Sequence, residues 1–366
     1  MEQSKTKQSQ FLARALLIVG IIGFVSHEQA LSAQSQSLPP AATVPCALFV
    51  PTSAATTTLT DPTSATESTP TQELLENQPA SESIDSQPLT ITELAPTLYL
   101  INGEENIAVF VDGNDVLLIG NEAADPREEL LACIARVTPL PVKYIIDTHQ
   151  HDNSNVNTLP NPDAVTIAHE NTHAQMSSSS HQDSTNLVFS NSTTLFLDNS
   201  RVELQYFANS HTNSDIVVLF TNERVLHAGD LFTDGYPIID YASGGSSRGW
   251  VTALDKILSL NFEMIIPGRG PVMSRTDVQL FRDWFVTVRT RVRQLIERNV
   301  PRQRVAGELI TEDLMRPLEG DSLFLNRTLP DLYNELFEAR QELLSTSQPT
   351  SFAPEDNKPS LTAPLP

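Results

Sequence analysis

Residues 143–151 constrain this chain more than any other stretch. Lys143-Tyr144-Ile145-Ile146 reads as a buried strand, and Asp147-Thr148-His149-Gln150-His151-Asp152-Asn153 follows without a break. Two histidines separated by one residue at a strand end are expected to point the same way, because strand side chains alternate with a period of two. Imidazole is a preferred nitrogen ligand for zinc, and a third ligand from elsewhere completes a facial set. Asn209-Ser210-His211-Thr212 offers that ligand just beyond another strand-like run, and Leu226-His227-Ala228-Gly229-Asp230 brings a carboxylate to the end of a third. Loops converging from several strand ends are a common way to build such a site.

The flanking sequence predicts a mixed α/β unit over residues 88–344, long enough to bury a sizeable core. Short β-branched and aliphatic runs at 97–102, 106–112 and 115–120 read as strands, with a hairpin turn at Asp112-Gly113-Asn114-Asp115. A helix is expected from Asp125-Pro126 to Val137, then strands at 143–147 and 164–168, the latter followed by a short helix. Strands at 201–207, 216–221, 224–228 and 264–267 and helices at 248–260 and 276–298 complete the pattern. In the last helix Leu280, Trp284, Val288, Val292 and Ile296 form the expected core stripe, with Arg289, Arg291 and Arg293 on a solvated face. Hairpins mixed with strand–helix alternation point to mixed sheets covered by helices.

The ends read differently. Lys5, Lys7 and Arg14 precede the apolar run 16–25, and small residues Ala30, Ser32 and Ala33 follow it. Residues 1–33 are therefore expected to be an export signal, the short apolar run favouring cleavage over an N-terminal anchor. Residues 34–87 hold no Lys or Arg and are rich in Ser, Thr, Pro, Gln and Ala, which predicts a disordered linker; residues 345–366 read as a disordered tail. Export places the chain in the periplasm or outside the cell, where thiols oxidise. Cys46 in the linker and Cys133 in the 125–137 helix make no disulfide framework, and the sequence leaves open whether they pair. Lys plus Arg is 23 against 45 Asp plus Glu, a net charge of −22, which argues against nucleic acid or an anionic membrane surface as a partner.

Six words in order give the unit a resemblance. Tyr99-Leu100-Ile101-Asn102, Val116-Leu117-Leu118-Ile119, Ala168-His169-Glu170-Asn171-Thr172, His211-Thr212, His227-Ala228-Gly229-Asp230 and Ile266-Pro267-Gly268-Arg269-Gly270-Pro271-Val272 resemble the metallo-β-lactamase fold superfamily, in particular its hydrolase-like members. The resemblance implies a four-layer αβ/βα sandwich with metal at one sheet edge. It implies that His149, His151 and His211 hold one metal, with Asp230 as a further ligand. The family's first motif, His-x-His-x-Asp-His, reads here with Asn153 and Ser154 in its last two places, and its late His falls on Arg269. Every ligand exclusive to a second metal is thus replaced, and a guanidinium does not ligate metals.

The expectation is one zinc ion, with Asp230 and Arg269 as the catalytic side chains. Zinc-activated water would attack a small ester, lactone, thioester or amide carbonyl. A catalytically inactive relative that binds a ligand or protein stands beside that reading, because Asn153 replaces the usual carboxylate. A third reading takes His169-Glu170-Asn171-Thr172-His173 as a zinc-peptidase word; the competing one, implied by the resemblance, makes it the family's ordinary His-Glu-Asn-Thr segment, on a short helix between a strand and the Ser177–Ser180 run. His227 is expected to be a buried hydrogen-bonding residue. His181 is expected in an exposed loop, and Ser243-Gly244-Gly245-Ser246-Ser247 to be a mobile loop beside the pocket. Oligomeric state and substrate identity are left open.

Overall fold

The structure, a computed structural model, describes residues 43–49, 88–103, 105–120, 127–151, 161, 163–178, 185–309, 314 and 324–346. The export segment, most of the linker and most of the tail, with His27, Asn153, Ser154 and His181, lie outside the described residues. No described helix is long and apolar enough to cross a membrane.

Strands β1 (Thr43–Pro45), β2 (Thr90–Ala95), β3 (Leu98–Asn102), β4 (Asn106–Asp112) and β5 (Asp115–Ile119) run antiparallel in sequence order. Helix α1 (Arg127–Val137) crosses to β6 (Tyr144–Ile146), which joins β5 in parallel. Then β7 (Val165–His169), helix α2 (Glu170–Ser178) and β8 (Leu187–Phe189) complete the first sheet. The second sheet contains β9 (Ser192–Phe196), β10 (Arg201–Tyr206), β11 (Ile216–Phe220), β12 (Val225–His227), β13 (Met264–Ile266) and β14 (Met273–Ser274), with helix α3 (Ser247–Ile257) between β12 and β13. Helices α4 (Arg275–Glu297), α5 (Arg302–Leu309) and α6 (Leu329–Thr346) follow.

Alternation along the strands sorts their side chains into layers. Leu98, Leu100, Phe110, Leu117 and Ile119 meet Val202, Leu204, Val218 and Phe220 of the second sheet in the central core. The neighbours Tyr99, Val109, Val116 and Leu118 face the other way, against Leu130, Cys133 and Ile134 of α1. On the far side Val217, Leu219 and Leu226 pack on Trp250, Leu254, Phe281 and Phe285 of α3 and α4. The chain therefore forms the expected four-layer sandwich of the metallo-β-lactamase type. Fully burying a side chain such as Phe285 stabilises by about 1.5–3 kcal/mol, and helix α4 is fixed at its start by a Ser274–Asp277 capping box.

Four expectations need correction. Residues 43–49, expected within the linker, form β1 and a short turn, and Cys46 is bonded to Cys133 of α1. That bond and the β1–β2 pairing hold a segment whose composition alone could not order it. Helix α6 runs to Thr346, two residues into the expected tail, and is anchored at its start by Leu329 and Leu332 against α4 and α5. The stripe of α4 is shifted. Leu280 is exposed, and the buried face runs through Val278, Phe281, Phe285, Val288, Val292 and Leu295. Arg289 is likewise not on a solvated face, since its Nε donates to Ser247 Oγ.

Candidate metal centre

Both sheets contribute to one edge. In the parallel pair β12–β13, His227 lies opposite Ile266, so the loops leaving these strands carry Asp230 and Arg269 side by side. Beyond β6 the chain turns through His149 and His151, and Ile216 N donates to Thr148 O, tying the end of β6 to the start of β11. The strand ends at Ile146, so His149 and His151 sit in a turn and not on a strand. They converge because the turn folds back on the second sheet, where Ser214 Oγ accepts from Gln150 N, and the period of two plays no part.

His211 follows β10 in a turn organised by Asp215. The buried Asp215 carboxylate accepts from Ser210 Oγ, Thr212 N and Thr212 Oγ1 at 2.8, 2.9 and 2.6 Å. Burial raises the Asp215 pKa despite His211 and these hydrogen bonds, which act in the opposite direction. The rings of His149, His151 and His211 have centroids 4.9–5.2 Å apart. One nitrogen from each lies within 4.8 Å of the other two.

Two of those nitrogens are selected by hydrogen bonds on the opposite side of the ring. His211 Nδ1 donates to Ile238 O at 2.6 Å, and His151 Nε2 donates to Asp240 Oδ2 at 2.8 Å. Burial alone would raise the Asp240 pKa, but hydrogen bonds from Ser243 and His151 hold it below the ordinary value, so it remains an acceptor. In the tautomers that these two bonds select, His151 Nδ1 and His211 Nε2 are the acceptor nitrogens, and they face each other 3.1 Å apart. His149 is buried, and burial followed by its histidine neighbours holds its pKa well below 6.5. Zinc–nitrogen bonds of about 2.0–2.1 Å in a tetrahedron set ligand nitrogens about 3.3 Å apart. This donor set fits such an ion.

Asp230 is not part of that group. Its Oδ2 lies 4.0 Å from His211 Nε2 and accepts from Arg269 Nη1 at 2.9 Å. Burial and then Asp215 raise the Asp230 pKa, while His211 and His151 pull it down. Arg269 also pairs with Glu105. Gly268 permits the approach, because a Cβ there would lie 2.1 Å from Asp230 Oδ1. Asn106 fixes the same loop, donating from Nδ2 to Pro267 O and Gly270 O and from its backbone N–H to Gly268 O.

His227 and His169 have structural partners. His227 Nε2 donates to Asn106 O and its Nδ1 accepts from Gly229 N; burial lowers its pKa to about 4. His169 ends β7 while Glu170 begins α2, so the peptidase-like word spans two elements. His169 Nε2 donates to Ser190 O and its Nδ1 accepts from Asn171 N, which leaves no lone pair for a metal. The 243–247 segment is a bonded turn, with Ser243 O accepting from Asn213 N and Ser246 N donating to Ser210 O. Asp215, Asp240 and Asn106 escaped sequence reasoning. Asp240 lies among Ile238, Ile239 and Tyr241 with no motif to mark it, and the sole clue to Asp215 is its place just before an apolar strand.

A family model described as the metallo-beta-lactamase superfamily matches residues 102–269. Among solved structures, a metallo-beta-lactamase from Pontibacter korlensis is 17% identical, with 54% of this chain and 98% of that one covered at a TM-score of 0.49. The DIM-1 metallo-beta-lactamase is 18% identical, with 56% and 99% covered, also at 0.49. No curated protein matches the chain.

Proposed function

Residues 102–269 belong to the metallo-β-lactamase superfamily, and on that premise we propose that the chain is a hydrolase working from one zinc ion on a small ester, lactone, thioester or amide. The observation that carries this reading is the approach of His151 Nδ1 and His211 Nε2 to 3.1 Å, with each ring held by an acceptor on its other nitrogen. His149, His151 and His211 would hold the ion. When bound, zinc supplies a Lewis acid and brings the pKa of a water near 7.

The protein's own groups then divide the work. Ile238 O and Asp240 keep two imidazoles in the ligating tautomer, and outer partners of this kind strengthen ligation. Asp230, beside the triad, orients the nucleophilic water and receives its proton; the raised pKa produced by burial suits that role. Arg269 balances the Asp230 charge and stands where the family's late histidine would be. Its guanidinium, with Asn153 and Ser154 in sequence, supports a single ion. β-Lactam cleavage falls within amide chemistry, but the fold alone does not select it.

The ion pair from Arg269 to Asp230 also favours a second reading, a metal-poor binding module in which Asp230 is simply neutralised. Metal analysis separates the two. The hydrolase reading expects close to one zinc per chain and turnover of an ester, lactone, thioester or β-lactam panel, both lost in His211→Ala. A chain that stays metal-free in micromolar zinc overturns it. The Cys46–Cys133 bond supports export to an oxidising compartment, and the acidic charge supports a small molecule rather than nucleic acid as partner.

A further inference from the structure

The segment 238–248 carries the hydrogen-bond partners of two of the three imidazoles. Ile238 O and Asp240 Oδ2 hold His211 and His151, and Asp240 N donates to His211 O. The segment packs so closely on the His211 turn that a Cβ at Gly245 would lie 2.3 Å from His211 O. Its position determines where Asp240 meets His151.

Helix α6 grips this segment from outside the family-matched residues. Glu335 Oε2 accepts from Tyr241 Oη at 2.9 Å and from Ser247 N at 3.1 Å, and Glu335 Oε1 accepts from Arg248 N at 3.4 Å. Ser247 and Arg248 open α3, where backbone N–H groups lack helical partners and a carboxylate is favoured. Arg289 of α4 reinforces the corner through Ser247 Oγ. Arg327, just before α6, lies 3.7 Å from Asp240 Oδ1. One carboxylate thus joins the residue next to Asp240 and the start of α3 to a helix at the end of the described chain.

We infer that Glu335 is a positioning residue for the metal centre, setting the Asp240–His151 hydrogen bond through Tyr241 and the start of α3; the inference rests on the one-zinc reading above. Its effect passes through Asp240, so it must disappear when Asp240 can no longer orient His151.

The test is a double-mutant cycle in the full chain, with zinc affinity measured by chelator competition and metal-free unfolding measured in parallel. Glu335→Ala is expected to weaken zinc about 10-fold, the low end for an outer partner. Glu335→Gln keeps a carbonyl for the N–H groups and is expected to restore most of the affinity. In an Asp240→Asn background Glu335→Ala should weaken zinc less than about 2-fold, whereas its effect on unfolding should be the same in both backgrounds. Imidazole 15N spectra of the metal-free chain at pH 8 provide a readout without metal. His151 should be the Nε2–H tautomer in the parent and a mixture in Glu335→Ala. Unchanged zinc affinity and tautomer in Glu335→Ala, or an equal zinc loss in both backgrounds, overturns the inference. A parent that takes up no zinc while Glu335→Ala still shifts the tautomer overturns the one-zinc reading and leaves the positioning role standing.

Discussion

His151 Nδ1 and His211 Nε2 face each other at 3.1 Å, and the opposite nitrogen of each ring donates to a fixed acceptor. Two lone pairs at that distance repel unless a cation lies between them. His211→Ala should therefore weaken zinc by more than about 100-fold, beyond the range for outer partners. His173→Ala should leave zinc affinity unchanged, because His173 is outside the triad. Competition against a chromophoric chelator checks both, and loss of zinc in His173→Ala would return the peptidase-like word to consideration.

Asp240 acts one step further out. Asp240→Asn retains size and an oxygen but replaces an ionised acceptor by a neutral amide that can present its N–H to the ring. Zinc affinity is expected to fall about 10–100-fold with the fold retained. Equal affinity for parent and variant would mean that the Asp240 bond to His151 does not select the ligating nitrogen.

The sheets and the three imidazoles were legible because each left a local mark. Runs of β-branched and aliphatic residues mark the strands, and His149, His151 and His211 follow such runs. Asp240 and Glu335 leave none, since a carboxylate in a turn or on a half-buried helix acquires its role when distant segments meet. Strand β1 shares the composition of the linker, and the cysteine that follows it is bonded to a partner 87 residues away. The α4 stripe failed for a geometric reason. Residues taken strictly every fourth position drift about 40° per step around a helix with 3.6 residues per turn. A line through Leu280, Trp284, Val288, Val292 and Ile296 thus starts in solvent before entering the core, whereas Phe281 and Phe285 face inward throughout.

Arg269 bears on stoichiometry. Arg269→His alone leaves Asn153 and Ser154 in place and should keep the chain at one zinc. Combining it with Asn153→Asp and Ser154→His restores oxygen and nitrogen ligands and frees Asp230 from its guanidinium, so a second zinc is expected by elemental analysis. A second equivalent in the parent chain would contradict the role assigned to Arg269.

The Cys46–Cys133 bond closes a loop across 87 residues. Chain-entropy arguments give a loop of that size about 4–5 kcal/mol, and typical disulfides deliver about 2–4. Cys46→Ser with Cys133→Ser should cost about 3 kcal/mol in denaturant unfolding and expose the β1 amides to hydrogen exchange. Zinc affinity should hold, because α1 packs on the face of the first sheet turned away from the second and β1 is that sheet's edge strand, far in strand order from β6. Protected β1 amides in the double variant would show that strand pairing alone holds the segment.

His227 makes the stability depend on acid. Its folded pKa is about 4 against an ordinary 6.5, so the folded chain keeps the ring neutral where the unfolded chain has begun to bind a proton. The unfolded state thus holds more protons between these values, and stability present above pH 6.5 is lost as pH falls toward 4. A shift of that size corresponds to about 3 kcal/mol. His227→Gln should remove about that much of the stability difference between pH 7 and pH 4, measured by urea unfolding with chelator present to exclude metal release. His149, whose pKa is also depressed, loses stability in the same direction in both chains and cancels from the comparison. Parallel pH profiles for parent and variant would mean that His227 is already open to protons in the folded state.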